Sequence, residues 1–106
     1  MNRRYSDMTE FELREEIKVL REKVQQALSM GNTSEMAVYE RKSTMAHAYL
    51  LDPNDFKQGE TYYIKGDEEG APLTIEYLDG VFAWGTRGSA NEPVGFPISL
   101  LEKREA

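Results

Sequence analysis

Every proline and seven of the eight glycines lie after residue 52. That asymmetry divides the chain into two halves of opposite character. Residues 1–52 carry long periodic stretches with Gly31 as the one glycine between them, the pattern of two helices and a turn. Residues 53–106 are punctuated at short intervals, the pattern of short strands and tight turns. A run of helices followed by a run of strands argues for an α+β fold. The expected architecture is an antiparallel helical hairpin (residues 1–52) packed on a small β-barrel (residues 53–106). The 106 residues amount to one ordinary domain, and each half alone would be marginal, so a single shared core is expected.

Thr9-Glu10-Phe11-Glu12 has the spacing of a capping box, in which Thr9 and Glu12 satisfy each other's backbone N–H groups. Leu13, Ile17, Leu20, Val24 and Ala27 then recur at helical spacing and form one apolar stripe. Gly31 suits the left-handed residue that ends such a helix. Asn32 and Glu35 repeat the capping spacing and start a second helix. Pro53 disfavours helix at the residue before it, so that helix is expected to end at Leu51 or Asp52. It carries two stripes, one of Met36, Tyr39, Ser43, Ala46 and Leu50, the other of Val38, Met45 and Tyr49. Two stripes predict burial on two sides, with this helix between the first helix and the β half.

In the second half, Thr61–Lys65 is a strand by composition. Leu73–Leu78 and Val81–Thr86 flank Asp79-Gly80, a two-residue hairpin signal. That turn sets Leu78 opposite Val81, Tyr77 opposite Phe82 and Ile75 opposite Trp84. The core face would then hold Leu73, Ile75, Tyr77, Phe82 and Trp84, and the outer face would include Leu78, Val81, Ala83 and Gly85. A short strand is expected near Gly95–Ser99, followed by a helical turn at Leu100–Lys103. Segments 66–72 and 87–95 read as loops.

Charge narrows the partners. The net formal charge is −6. Residues 1–52 hold eight basic and nine acidic residues, whereas residues 53–106 hold five and ten. An acidic β half disfavours nucleic acid, because phosphate contacts supply most non-specific affinity. The near-neutral hairpin is less handicapped. There are no cysteines, which excludes disulfides, thiolate catalysis and cysteine-based zinc sites. No apolar run approaches the length of a membrane span, and the N-terminus leads into an acidic helix and not an apolar h-region. A cytoplasmic protein without membrane partners is expected.

No constellation carries recognisable chemistry. His47, the sole histidine, stands four residues from Ser43 on one helix face, without a nucleophile elbow or an oxyanion nest. Asp67-Glu68-Glu69 lacks the alternation of a calcium loop. The aromatic residues Tyr62, Tyr63, Tyr77, Phe82, Trp84 and Phe96 could line a peptide groove or a base-stacking platform. The expected register places Tyr77, Phe82 and Trp84 in the core and leaves Tyr63 and Phe96 at the surface. Arg3-Arg4-Tyr5 is a basic arm and Arg41-Lys42 a basic pair, and both read as solvated charge. The start of the second helix is acidic, which is unlike a helix-turn-helix reader.

Two stretches resemble a known family. Glu40-Arg41-Lys42-Ser43-Thr44-Met45-Ala46-His47-Ala48-Tyr49-Leu50-Leu51-Asp52-Pro53 and Tyr77-Leu78-Asp79-Gly80-Val81-Phe82-Ala83-Trp84-Gly85 resemble the YfhH family of small proteins from Bacillus-type bacteria. Arg4-Tyr5-Ser6, Met8-Thr9 and Pro97-Ile98-Ser99-Leu100-Leu101 are similar too. The resemblance implies that the barrel is SH3-like. It brings no catalytic residue, and a transcriptional-regulator label is attached to some members.

These readings lead to an expectation of a non-catalytic protein-interaction or regulatory module, with no cofactor and no metal. Its expected interaction surface is Tyr63, Leu78, Val81, Arg87 and Phe96. A protein partner is expected, and a homo-oligomer is compatible. The alternative is a transcription-associated regulator that touches nucleic acid through the hairpin or the N-terminal arm.

Overall fold

Thr9 opens the first helix, α1 (Glu10–Ser29), by the capping box its spacing predicts. The Glu12 N–H donates to Thr9 Oγ1 at 3.1 Å, and the Thr9 N–H donates to Glu12 Oε1 at 3.0 Å. This computed structural model describes residues 4–67 and 70–103. Leu13, Ile17, Leu20 and Ala27 of the predicted stripe are buried, and Val24 is half-buried. The helix stops in a Schellman motif. Gly31 takes a φ of +71°, the Asn32 N–H donates to the Ala27 carbonyl at 2.8 Å, and the Gly31 N–H donates to that of Leu28 at 3.1 Å.

Asn32 then caps α2 (Thr33–Ala48) by accepting from the Glu35 N–H. The short connection folds α2 back against α1. Leu13, Ile17 and Ala46 form the centre of the hairpin core. The segment before α1, a single 3-10 turn at Tyr5–Asp7, adds Tyr5 and Met8 to that core, and Leu50 closes it. The helix ends at Ala48, not at Leu51 or Asp52. The Leu50 N–H turns inward to the His47 carbonyl at 3.0 Å, which tightens the last turn before Pro53 acts. Of the second stripe, Val38 and Tyr49 are exposed and Met45 is half-buried.

The chain divides into two compact units, Met1–Leu50 and Leu51–Ala106, against an expected boundary after residue 52. The second unit opens with a 3-10 turn at Pro53–Asp55. It holds β1 (Thr61–Ile64), β2 (Leu73–Asp79), β3 (Phe82–Arg87), β4 (Val94–Pro97) and β5 (Leu101–Glu102). All pairings are antiparallel, in the order β4-β3-β2-β1-β5. The expected closed barrel is therefore corrected to an open sheet with β4 and β5 at its edges. β5 is two residues long and spends both pairings on β1, so no ladder joins it to β4. A 3-10 turn at Ile98–Leu100 and then β5 replace the expected helical turn at Leu100–Lys103.

The β2–β3 register also differs from the expected one. Asp79 pairs with Phe82, and the two-residue loop is Gly80-Val81, not Asp79-Gly80. Gly80 has a φ of +60° and no non-glycine residue among those described is left-handed, so positive φ falls only on the first loop position. That is the pattern of a II′ turn, whereas an Asp79-Gly80 loop of type I′ would require positive φ at Asp79 as well. A bulge between Ile75 and Tyr77 then shifts the ladder once more, setting Ile75 opposite Gly85. The changed turn moves each partner by two residues and keeps the faces, whereas the one-residue bulge puts Leu73 and Ile75 on the side of Ala83 and Gly85 and leaves Tyr77, Phe82 and Trp84 on the other. Tyr77 is 52% exposed. The buried face instead holds Leu73, Ile75, Val81, Ala83 and Gly85, joined by Tyr62, Ile64, Ile98 and Leu101.

Candidate functional site

The residues of the expected sheet surface do not form an accessible face. Leu78, Ala83 and Phe96 are aligned across β2, β3 and β4, and Arg87 shares their side because it lies an even number of residues from Ala83. This is the core side. Val81 is buried at 6% exposure, and Leu78 and Phe96 are half-buried. Arg87 is occupied. Its guanidinium pairs with Asp67, donates to the Ala71 carbonyl from Nε at 3.0 Å and from Nη2 at 2.8 Å, and stands 5.6 Å from the Phe96 ring centroid. It thereby ties the 66–72 loop to β3. Tyr63 lies on the opposite side, since its neighbour Tyr62 is the residue that faces the core beside Leu73.

The other sequence candidates resolve into local structure. The His47 Nδ1–H donates to the Ser43 carbonyl at 2.9 Å, one turn back on its own helix. Asp67 pairs with Arg87, and Glu68 and Glu69 lie outside the described residues, as does Arg3. Among the described residues no group of carboxylates or histidines is placed to hold a metal ion. No helix among them is long and apolar enough to cross a membrane.

A charged cluster at the sheet edge has a fastening role. Glu60 Oε1 accepts from the Tyr62 hydroxyl at 2.9 Å and from the Lys57 N–H at 2.8 Å, and Oε2 accepts from Lys103 Nζ at 3.1 Å. The Lys57 backbone bond, then the Tyr62 and Lys103 bonds, hold the Glu60 carboxyl down at about 2. Burial, then the bond to Glu60, push the Tyr62 phenol up to about 12. These bonds clamp the end of β5 to the start of β1.

The remaining feature is an open groove of about 1050 Å³ in the hairpin unit. Three segments build it. Glu16, Leu20 and Lys23 share one face of α1, and Tyr39, Lys42 and Met45 share one face of α2 that its C-cap residue Tyr49 continues. The folded-back arm supplies Arg4, Tyr5, Ser6 and Met8, anchored because Tyr5 and Met8 belong to the hairpin core. Arg41 stands at the rim beside Lys42. Four cations, Arg4, Lys23, Arg41 and Lys42, thus meet with a single carboxylate, Glu16. None of the ion pairs among the described residues engages any of the four. Lys23 Nζ instead stands 5.6 Å from the Tyr39 ring centroid, a cation–π contact. Burial, with the Glu16 charge second, raises the Tyr5 phenol further above its ordinary value. Tyr5 is therefore a neutral donor throughout the physiological range.

Sequence reasoning had found the arm and the Arg41-Lys42 pair, but as separate solvated charges. Their convergence depends on the arm folding back across both helices. The usable signal was the alternation of Tyr39, Lys42, Met45 and Tyr49 along one helical face, which mixes charge and rings where a core stripe would be uniformly apolar.

The resemblance seen in the sequence is borne out by comparison with known proteins. The model of a family described as protein of unknown function DUF1811 matches residues 3–102. The uncharacterized protein YfhH of Bacillus subtilis (strain 168) is 49% identical over 106 residues, covering 99% of this chain and all of that protein. A match of that extent, through both helices and all five strands, establishes that the chain belongs to the DUF1811 family.

Proposed function

We propose that the protein is a non-catalytic interaction module whose working surface is the hairpin groove and whose ligand is an anionic segment of a partner. One observation carries this reading: four cations from three separate segments converge on one concavity that holds a single carboxylate, Glu16, and none of the ion pairs among the described residues engages them. Gathering like charges costs energy through mutual repulsion, and an anionic ligand relieves that cost. The half-apolar floor, with Leu20, Met8 and Met45, suits binding. The β unit is read as an SH3-like scaffold. Its support is a meander of four strands, a 3-10 turn and a return strand that pairs with β1, in the order β4-β3-β2-β1-β5.

Tripolyphosphate is a suitable probe because it carries charge without sequence or shape. Calorimetry should show binding that the double reversal Arg41→Glu with Lys42→Glu weakens at least about tenfold, the loss of roughly 1.4 kcal/mol. The matched reversal Lys57→Glu with Lys65→Glu, in the β unit, should change it little. Equal losses in both variants would refute the groove as the binding surface.

A further inference from the structure

We infer that the hairpin groove binds single-stranded nucleic acid, a reading that rests on the anion-binding role proposed above and names the ligand class. Three observations point to it. First, the groove interleaves its cations with rings: Tyr5, Tyr39 and Tyr49 stand among Arg4, Lys23, Arg41 and Lys42. A strand without fixed sequence is held in that manner, with cations tracking phosphates and rings stacking on bases. Carboxylates of an acidic peptide need the cations but gain little from three rings. Second, the site is a concavity open to solvent. Duplex readers push a helix or ribbon into a groove of the DNA, whereas a concavity admits a flexible strand. Third, Arg4 and Arg41 supply planar forks suited to phosphate oxygens, and Tyr49 is 37% exposed, so ring and charge are both presented at the rim.

The net charge of −6 sets the strength and not the possibility of this binding. Most of the excess is in residues 53–106, and salt screens charges beyond about 8 Å at physiological ionic strength. Four phosphate contacts predict a slope of log K against log salt of about −3 for a single strand. Raising salt from 50 to 200 mM should then weaken binding about 50-fold. The complex is expected to be weak and salt-dominated.

The test uses the full chain and a labelled eight-nucleotide oligothymidylate, followed by fluorescence anisotropy at both salt concentrations. Competitors are a duplex of the same length and octaglutamate. We expect the single strand to bind, with the predicted salt slope, and to outcompete both. Tyr49→Leu and Tyr39→Leu keep apolar bulk but remove the ring. Each should cost about fivefold or more for oligothymidylate, as loss of one stacked base does, and leave octaglutamate unchanged. Melting curves on both variants separate ring loss from unfolding, and Tyr49, at the surface, is the safer of the two. Octaglutamate competing as well as the oligonucleotide, with both tyrosine variants neutral, would overturn the nucleic-acid inference and leave the anion-binding reading standing. Duplex binding tighter than the single strand would also overturn it. Failure of every anion to bind would overturn both.

Discussion

Replacing Gly85 by alanine adds one methyl group at the most crowded backbone crossing in the β unit. A Cβ there would lie 1.9 Å from the Thr74 carbonyl oxygen, 2.8 Å from its carbon and 3.2 Å from the Glu76 nitrogen. All three are backbone atoms of β2, beside the bulge, so no side-chain rotation relieves the contact. β2 and β3 would have to part by more than an ångström where Ile75 packs opposite Gly85. Overpacking that a core can absorb costs about 1–3 kcal/mol. With no rotamer to absorb it, we expect the top of that range, about 3 kcal/mol. At about 4–8 °C per kcal/mol for a domain near this size, the melting temperature should fall by roughly 12–24 °C. Thermal and urea unfolding followed by circular dichroism would measure it. Gly88→Ala is the control. Its φ of +53° is strained for alanine, but the added carbon meets only the Ala71 Cβ at 3.5 Å. About 1–2 kcal/mol is expected there, from backbone conformation alone. If Gly85→Ala proves no worse than Gly88→Ala, the close approach of β2 and β3 is wrong.

Ile98, fully buried after β4, should lose about 2–5 kcal/mol on truncation to alanine, and a urea midpoint within error of the parent would contradict its place in the core. The Glu60 carboxyl is depressed from 4.5 to about 2, so its contribution is fully present above pH 4.5 and is lost as pH falls toward 2. The stability difference between parent and Glu60→Gln should therefore shrink across that window, and a constant difference would show that the clamp is not ionic. Each unit holds about 50 residues, a size at which an isolated core is marginal, so we propose that the two unfold together. Far-UV circular dichroism and the fluorescence of Trp84, the sole tryptophan, should give one urea midpoint, and two separated midpoints would show independent domains.

The helical unit was legible because its signals are local. Thr9 with Glu12, Asn32 with Glu35, and Gly31 each act within a few residues; Thr9 and Glu12 form the full box, Asn32 caps by accepting from the Glu35 N–H, and Gly31 ends α1. The β unit was legible in its elements but not in its faces. Asp79-Gly80 marks a turn without deciding whether Asp79 lies in the loop or in the strand, and that choice moves the pairing. The bulge at Ile75/Tyr77 has no glycine to announce it. Moving the turn shifts partners by two residues and keeps the faces, but the one-residue bulge exchanges inside and outside along β2, which is why Tyr77 and Trp84 face outward while Leu73 and Ile75 face the core. There they stack with centroids 6.3 Å apart and planes at 6°, and the Trp84 indole covers Gly95, whose side-chain space it fills. β5 is too short for any periodic signal, and its place depends on distant partners in β1. The groove was hidden for a related reason, since Arg4 comes to line one groove with Lys42 and Tyr49 only through the fold of the arm.

The most direct test of the hairpin groove as the binding surface is a map of amide chemical shifts. The ¹⁵N-labelled full chain would be titrated with oligothymidylate and, separately, with tripolyphosphate. The account predicts that perturbations concentrate at residues 4–8, at Glu16–Lys23 of α1 and from Tyr39 of α2 to its C-cap Tyr49, with the β2–β3 hairpin silent. Perturbations centred on Tyr77, Trp84 and Phe82 instead, or spread evenly over the basic residues of both units, would contradict it.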